Sequence, residues 1–329
     1  MSRLPEALVV LASTWIGSIG LGLGQATVRP ISDFGRASLD VYGSVFAWAL
    51  AIFVVVELLL LFALWRFRRR PDDPQVPEQV HGHTWLEIGW TLAPAVILLV
   101  IAIPTIRTVF RQQAPLPLEA QPLQITVIGH QWWWEFAYPD LGFTTANEMH
   151  VPRGRSVELT LSSNDVIHSF WIPRLGGKRD LNPGTENTIV FKADSTGVYQ
   201  GQCAEFCGTS HANMRMKLFV DEPAAFDAWA RLQGQPARPD SAGYQTFLIS
   251  GCAACHAIDG TPAQGRVGPN LTHVGDRTTI AAGLYPNEPD WVAGWLRNPD
   301  SLKPGALMPD LNLSEDRVAS LVRLLENLR

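Results

Sequence analysis

With 329 residues the chain is long enough for two or three modules, and 47 % hydrophobic against 17 % charged residues points to membrane attachment. A net charge of −5, with no basic tract beyond Arg66–Arg70, argues against nucleic-acid binding. The four cysteines fall into two local pairs, Cys203 with Cys207 and Cys252 with Cys255, a pattern of metal or cofactor chemistry and not of a disulfide framework.

Residues 1–26 open with Arg3, run apolar from Ala7 to Leu23 and reach the small-residue spacing Gly24-Gln25-Ala26. This predicts a cleaved signal peptide, with an uncleaved third span as the alternative. Residues 27–110 form an N-terminal segment and two apolar stretches, Val45–Trp65 and Glu87–Ile106. At ~1.5 Å per residue each reaches across the ~30 Å hydrocarbon core of a bilayer. Arg66, Arg68, Arg69 and Arg70 hold the short loop between them in the cytoplasm, which places everything after Phe110 outside. Glu57 falls in mid-span, where an exposed charge costs ~2.5–3.5 kcal/mol, so it faces a partner helix or stays protonated. All eight histidines lie outside both stretches, so the chain cannot ligate a haem inside the membrane.

Within a module of residues 111–233, the pattern over Pro122–Asp221 changes to short β-branched and aromatic runs, such as "LQITVIGH", "WWWEFAY", "SVELTLSS", "VIHSFWI" and "MRMKLFV", parted by Gly, Pro, Asn and Asp. This predicts an antiparallel sandwich or barrel, closed by a short helix over Pro223–Gln233. "GQPARPDSAG", residues 234–243, has linker composition. As a flexible tether it would span roughly 17 Å and give an effective concentration in the millimolar range. Residues 244–329 form a third, helical module, with helices expected near Tyr244–Ser250, Asp290–Arg297 and Ser314–Leu328.

The sharpest short motif is "CAACH", Cys252 to His256. Two thiols two residues apart add across the two vinyl groups of a porphyrin, and the adjacent imidazole lies under the iron, so Cys-x-x-Cys-His reads as c-type haem attachment. For the sixth ligand Met308 is the only methionine downstream, and His273 is the rival. A thioether there raises the reduction potential.

"GQCAEFCGTSHANM", residues 201–214, brings Cys203, Cys207, His211 and Met214 into one loop. Thiolate, imidazole and thioether together select copper. One more imidazole is wanted, and "DVIHSFWIP" supplies His168 at the tip of an apolar run, where an ordinary buried histidine is the plain alternative.

"DVIHSFWIP", "GQCAEFCGTSHANM", "GHQWWWEFAY" and "LEIGWTLAPA" resemble, in order and over residues 40–222, subunit II of the haem–copper cytochrome c oxidases. Residues 243–329 resemble a fused class I cytochrome c domain, the mark of the caa-type variant. The resemblance implies a two-helix transmembrane hairpin, a cupredoxin-like antiparallel β-barrel or sandwich, and an all-α cytochrome c domain. It implies a binuclear CuA centre bridged by Cys203 and Cys207, with His168 and Met214 on one copper and His211 and the Glu205 carbonyl on the other. Sharing one electron between two coppers spreads the change in charge, so the surroundings rearrange little. Trp132 is implied as the aromatic over the centre where electrons arrive, the Glu205 side chain as a magnesium ligand at the junction with subunit I, and Glu87 as an acid at the mouth of a proton pathway. Met216 matches no ligand position and reads as packing. On a strand Trp132 and Trp134 would share one face and Trp133 the other.

The family further implies oxidase subunit I and other oxidase subunits as partners, and cytochrome c or quinol–cytochrome c reductase as donor. It places the chain in a bacterial inner membrane, both soluble modules on the periplasmic face. Three other readings fit less well. A self-contained nitrogen-oxide reductase would need a further His-rich catalytic region, a copper carrier would carry no covalent haem, and a quinol-oxidase subunit II would lack Cys203 and Cys207.

Overall fold

The computed structural model describes residues 27–68, 81–114 and 121–329. The expected signal peptide, Arg69 and Arg70 lie outside the described residues. Two compact units divide the chain near residues 36 and 114.

One unit is built on α1 (Asp33–Arg66) and α2 (Thr84–Gln113), both long and apolar enough to cross a membrane. Gln112 near the end of α2 bonds Ser38 near the start of α1 at 3.0 Å, so the helices run antiparallel. Glu57 sits in the middle of α1, and Glu87 in the first turn of α2.

The other unit begins with a β-sandwich. One sheet has the order β3 (Phe143–Ala146), β2 (Trp133–Tyr138), β1 (Leu123–His130), β5 (Ser156–Ser163), β8 (Asn187–Lys192). The facing sheet has the order β4 (Glu148–Pro152), β10 (Arg215–Asp221), β9 (Gly197–Cys203), β6 (His168–Trp171), β7 (Arg179–Leu181). Strict alternation along β1 and β5 sends Leu123, Ile125, Val127, Val157, Leu159 and Leu161 inward, where they meet Trp134, Phe136 and Phe170. Most neighbouring strands are antiparallel, whereas β1 with β5 and β10 with β4 run parallel. The short strands β3, β4 and β7 carry too few alternating residues to stand out in the sequence.

Residues ahead of α1 belong to this sandwich and not to the membrane segment. Ile31 is 1 % exposed in its core, Ile31 N donates to the Arg174 carbonyl at 2.9 Å, and Ser32 bridges to Ala193. One buried isoleucine gives no periodic signal, so sequence alone groups these residues with the spans.

After α3 (Pro223–Gln233) comes the helical module: α4 (Ser241–Ile249), a two-residue ladder of β11 (Thr279–Ile280) and β12 (Tyr285–Pro286), α5 (Pro289–Arg297), α6 (Pro299–Leu302) and α7 (Glu315–Asn327). Val318, Leu321 and Val322 follow the helical period and pack on Phe247, Val292 and Leu296.

The supposed tether is corrected by its own contacts. Ala237 is 5 % exposed in the core of the helical module, and its N–H donates to the Asp259 carbonyl at 3.0 Å. The Gln235 carbonyl lies 2.8 Å from His273 Nε2, and Asp240 caps α4 by accepting from Gly243 N at 2.7 Å. Pro, Gly and Ser composition reads as flexible, but here the prolines stiffen a strap whose small residues fit into packing.

Candidate metal and haem centres

The copper-type donors gather at one end of the sandwich. Cys203 ends β9, His168 opens β6, and the loop after β9 brings back Cys207, His211 and Met214. Cys203 Sγ lies 3.8 Å from Cys207 Sγ, 3.9 Å from His168 Nδ1 and 3.2 Å from the Glu205 carbonyl. Cys207 Sγ lies 3.5 Å from His211 Nδ1 and 3.9 Å from Met214 Sδ. Two free thiols, two imidazoles and a thioether so placed form a soft donor set that fits copper. The Cys207 thiol bonds Cys203 and so favours ionisation of Cys203, while that same bond, together with burial, pushes Cys207 up. Met216 is fully buried in the core beside β9, consistent with packing.

The surrounding residues aim these donors. Asp165 Oδ1 lies 2.8 Å from His168 Nε2, which leaves Nδ1 facing the thiols, and Asp165 Oδ2 accepts from Gln131 N at 2.6 Å. Burial works against charge on His168, and the bonds to Cys203 and Asp165 outweigh it and raise its pKa. The aspartate stands three residues before His168 in "DVIHSFWIP", a spacing visible in the sequence that signalled nothing by itself.

Gly129 on β1 supports the same imidazole, because a Cβ there would stand 2.7 Å from His168 Cδ2. Gly129→Ala is therefore expected to turn His168 away and lower copper affinity by on the order of 10–100-fold, the loss typical of a disturbed supporting partner. Metal analysis of the variant checks this, and the haem content should not change.

Trp132 lies in the turn between β1 and β2, not on a strand as the alternation implied, and is 8 % exposed. Its Nε1 donates to the Cys207 carbonyl at 2.9 Å, and Gln131 Nε2 donates to the same oxygen at 2.7 Å. Trp134 falls in the sandwich core, and Trp133 stacks on His130 at 4.1 Å.

In the helical module Cys252, Cys255, His256 and Met308 line one cavity of about 240 Å³. His256 Nδ1 bonds the Pro269 carbonyl at 2.7 Å, which leaves Nε2 free to meet iron. Burial lowers the pKa of His256 and keeps the ring neutral, as a ligand must be. Gly268 permits this, since a Cβ there would stand 2.4 Å from His256 Cε1. Arg277 also lines the cavity, and its buried Nε has no partner among the described residues, the kind of donor a haem carboxylate satisfies. These features fit a haem. Trp295 Nε1 donates to Met308 Sδ at 3.1 Å. His273 is turned to the Gln235 carbonyl and is not among the cavity-lining residues. Nothing in the sequence marked Arg277 or Trp295.

The haem-type cavity is completed by the sandwich, because Gln131, Trp132, Trp133 and Asn147 form part of its wall. The loop leading to Met308 rests there: Ser210 Oγ donates to the Pro304 carbonyl at 2.7 Å, and a Cβ on Gly305 would stand 3.3 Å from Trp132 Cη2. On the far side of the junction the Glu148 carboxylate accepts from Thr278 N, Thr278 Oγ1 and Thr279 Oγ1 at 2.6–3.1 Å. Glu205 Oε1 accepts from Phe206 N at 3.2 Å.

Comparisons with known proteins agree with this layout. The family model of the cytochrome c oxidase subunit II transmembrane domain matches residues 36–108, that of its periplasmic domain residues 143–220, and that of cytochrome c residues 241–329. Cytochrome c oxidase subunit 2 of Alkalihalophilus pseudofirmus is 39 % identical over 322 residues, covering 93 % of this chain and 92 % of the relative. Its counterpart in Bacillus sp. (strain PS3) is 37 % identical, covering 80 % and 79 %. Among solved structures, the periplasmic domain of subunit II of cytochrome oxidase of Bradyrhizobium japonicum is 36 % identical, with a TM-score of 0.33, and covers 34 % of this chain and 92 % of that one. The periplasmic subunit II domain implies a CuA copper site, and the cytochrome c domain implies haem. Across its membrane helices, its sandwich and 92 % of the length of its Alkalihalophilus relative, the chain belongs to the cytochrome c oxidase subunit II family, here with a cytochrome c domain at its C-terminal end.

Proposed function

We propose that the chain takes electrons from a cytochrome c donor or a quinol–cytochrome c reductase and passes them through haem c to CuA. From there they reach subunit I, where oxygen is reduced to water with proton pumping. The observation that carries this reading is the seat of the loop that leads to Met308: it lies on Trp132, whose indole N–H holds the carbonyl of Cys207.

When bound, the haem and the copper pair supply one-electron exchange without bond making. Cys252 and Cys255 would attach the haem, and His256 and Met308 would hold its iron. Cys203, Cys207, His168, His211, Met214 and the Glu205 carbonyl would together hold the copper. Asp165 and the Pro269 carbonyl each fix one imidazole. The Glu205 side chain is assigned to a magnesium ion shared with subunit I, and Glu87 to the mouth of a proton pathway. The membrane is a bacterial inner membrane, with both soluble modules on its periplasmic face.

A fixed junction replaces the free tether as the reason for fast delivery. Transfer between the modules is expected to be first-order, independent of oxidase concentration and only weakly dependent on salt, since no charge-steered encounter precedes it. Flash reduction of the haem in the complete oxidase, followed at several protein concentrations, tests this. A rate rising with concentration would mean that each haem serves another molecule.

A further inference from the structure

Lys303 is buried at the junction of the two soluble modules, only 4 % exposed. Among the described residues no carboxylate pairs with it. Its Nζ donates instead to two main-chain carbonyls, that of Trp132 and that of Ala281 at 3.4 Å. Burial pushes its ammonium down to about 7. A neutral amine still carries two N–H donors, so both carbonyls can be held in either protonation state.

A side chain placed only to fill space would be apolar, because replacing a buried charge by a well-packed hydrophobe is often neutral or stabilising. What an apolar side chain cannot do is hold a carbonyl. Trp132 is gripped at both ends: its indole by Cys207, its main chain by Lys303. Lys303 also begins the stretch that continues through Pro304, bonded by Ser210, and Gly305, seated on the Trp132 ring, to Met308.

We infer that Lys303 is a positioning residue for the passage of electrons between the modules, bonding the Trp132 carbonyl and so setting how closely the Met308 loop sits against that tryptophan. The inference rests on the relay proposed above. One electron moves, from reduced haem iron to the oxidised copper pair; no bond forms or breaks, and Lys303 exchanges neither electron nor proton. Because electron transfer falls off steeply with separation, a small loosening of this contact slows it strongly.

The test uses the complete oxidase carrying Lys303→Met, Lys303→Arg, Trp132→Phe, or Lys303→Met with Trp132→Phe. After flash reduction of the haem, Lys303→Met is expected to slow the first-order step about tenfold with haem and copper contents unchanged. Lys303→Arg, which keeps N–H donors, should stay within about threefold of wild type. The double variant should be no slower than the slower single one, because the two residues act as one unit. Hydrogen exchange supplies a readout that needs no electron flow: residues 131–133 and 303–308 should exchange about tenfold faster in Lys303→Met, and residues 156–163 at the wild-type rate. Should the methionine variant not assemble, Lys303→Gln takes its place with the same expected loss. A wild-type rate that scales with oxidase concentration overturns the relay itself. A concentration-independent rate that Lys303→Met leaves within twofold overturns only the role given to Lys303, as do independent, multiplying effects in the double variant.

Discussion

Cys203→Ser is expected to reduce the copper content from two per chain to one or none and to lower oxidase turnover by at least about a hundredfold. Loss of a mere supporting partner already costs on the order of 10–100-fold, and Cys203 is at the centre of the donor set. Its Sγ lies within 3.9 Å of Cys207, His168 and the Glu205 carbonyl. A serine hydroxyl is hard and stays protonated, so it cannot bridge two soft ions. The haem should be retained, because the helical module has its own hydrophobic core. Metal analysis and electron paramagnetic resonance of the complete oxidase check the result. A variant that kept two coppers and a delocalised mixed-valence spectrum would remove Cys203 from the ligand set, and wild-type protein with one copper, or with zinc, would remove the binuclear assignment.

Met308→Ala is expected to leave the haem covalently attached while lowering its reduction potential by about 120 mV or more, two decades in a one-electron equilibrium at ~59 mV each. Axial ligand identity spans about 0.8 V across haem proteins, and a thioether lies toward the upper part of that range. The weak methionine-to-iron band should vanish. Reduction of the haem by an external donor should become less favourable by the same two decades, and turnover should fall with it. Trp295 donates to Met308 Sδ, so the truncated side chain also leaves an unpaired indole N–H. An unchanged band and potential would require another sixth ligand. His273 is badly placed for that, with its Nε2 turned to the Gln235 carbonyl.

The donor types of both candidate centres stand out in the sequence because they are local in it. "CAACH" and the loop from Cys203 to Met214 put their donors within a few residues of one another, and helix and strand periods then carry them to one place. The two membrane helices and the strands β1, β5 and β10 were legible for a similar reason, since a long apolar run or a strict alternation records burial residue by residue. Helices α4, α5 and α7 were found within a few residues of their ends.

What escaped the sequence were contacts between residues far apart in the chain. Lys303 reads as one more surface lysine until its Nζ is seen on the Trp132 carbonyl, 171 residues away. Gly129 looks like a gap in β1 until His168 lies against it, and Ile31 looks like part of a membrane approach until the sandwich closes over it. The stretch from Gly234 to Gly243 has the composition of a tether, yet Ala237 is buried and Asp240 caps a helix. The sequence by itself determined the module order, the family and the donor types, because hydrophobic period and ligand chemistry are properties of short segments. Only the tertiary structure decided that the haem-type cavity is walled by Trp132 and Trp133 of the sandwich, because which surfaces meet depends on shape and hydrogen-bond pairing across the whole chain.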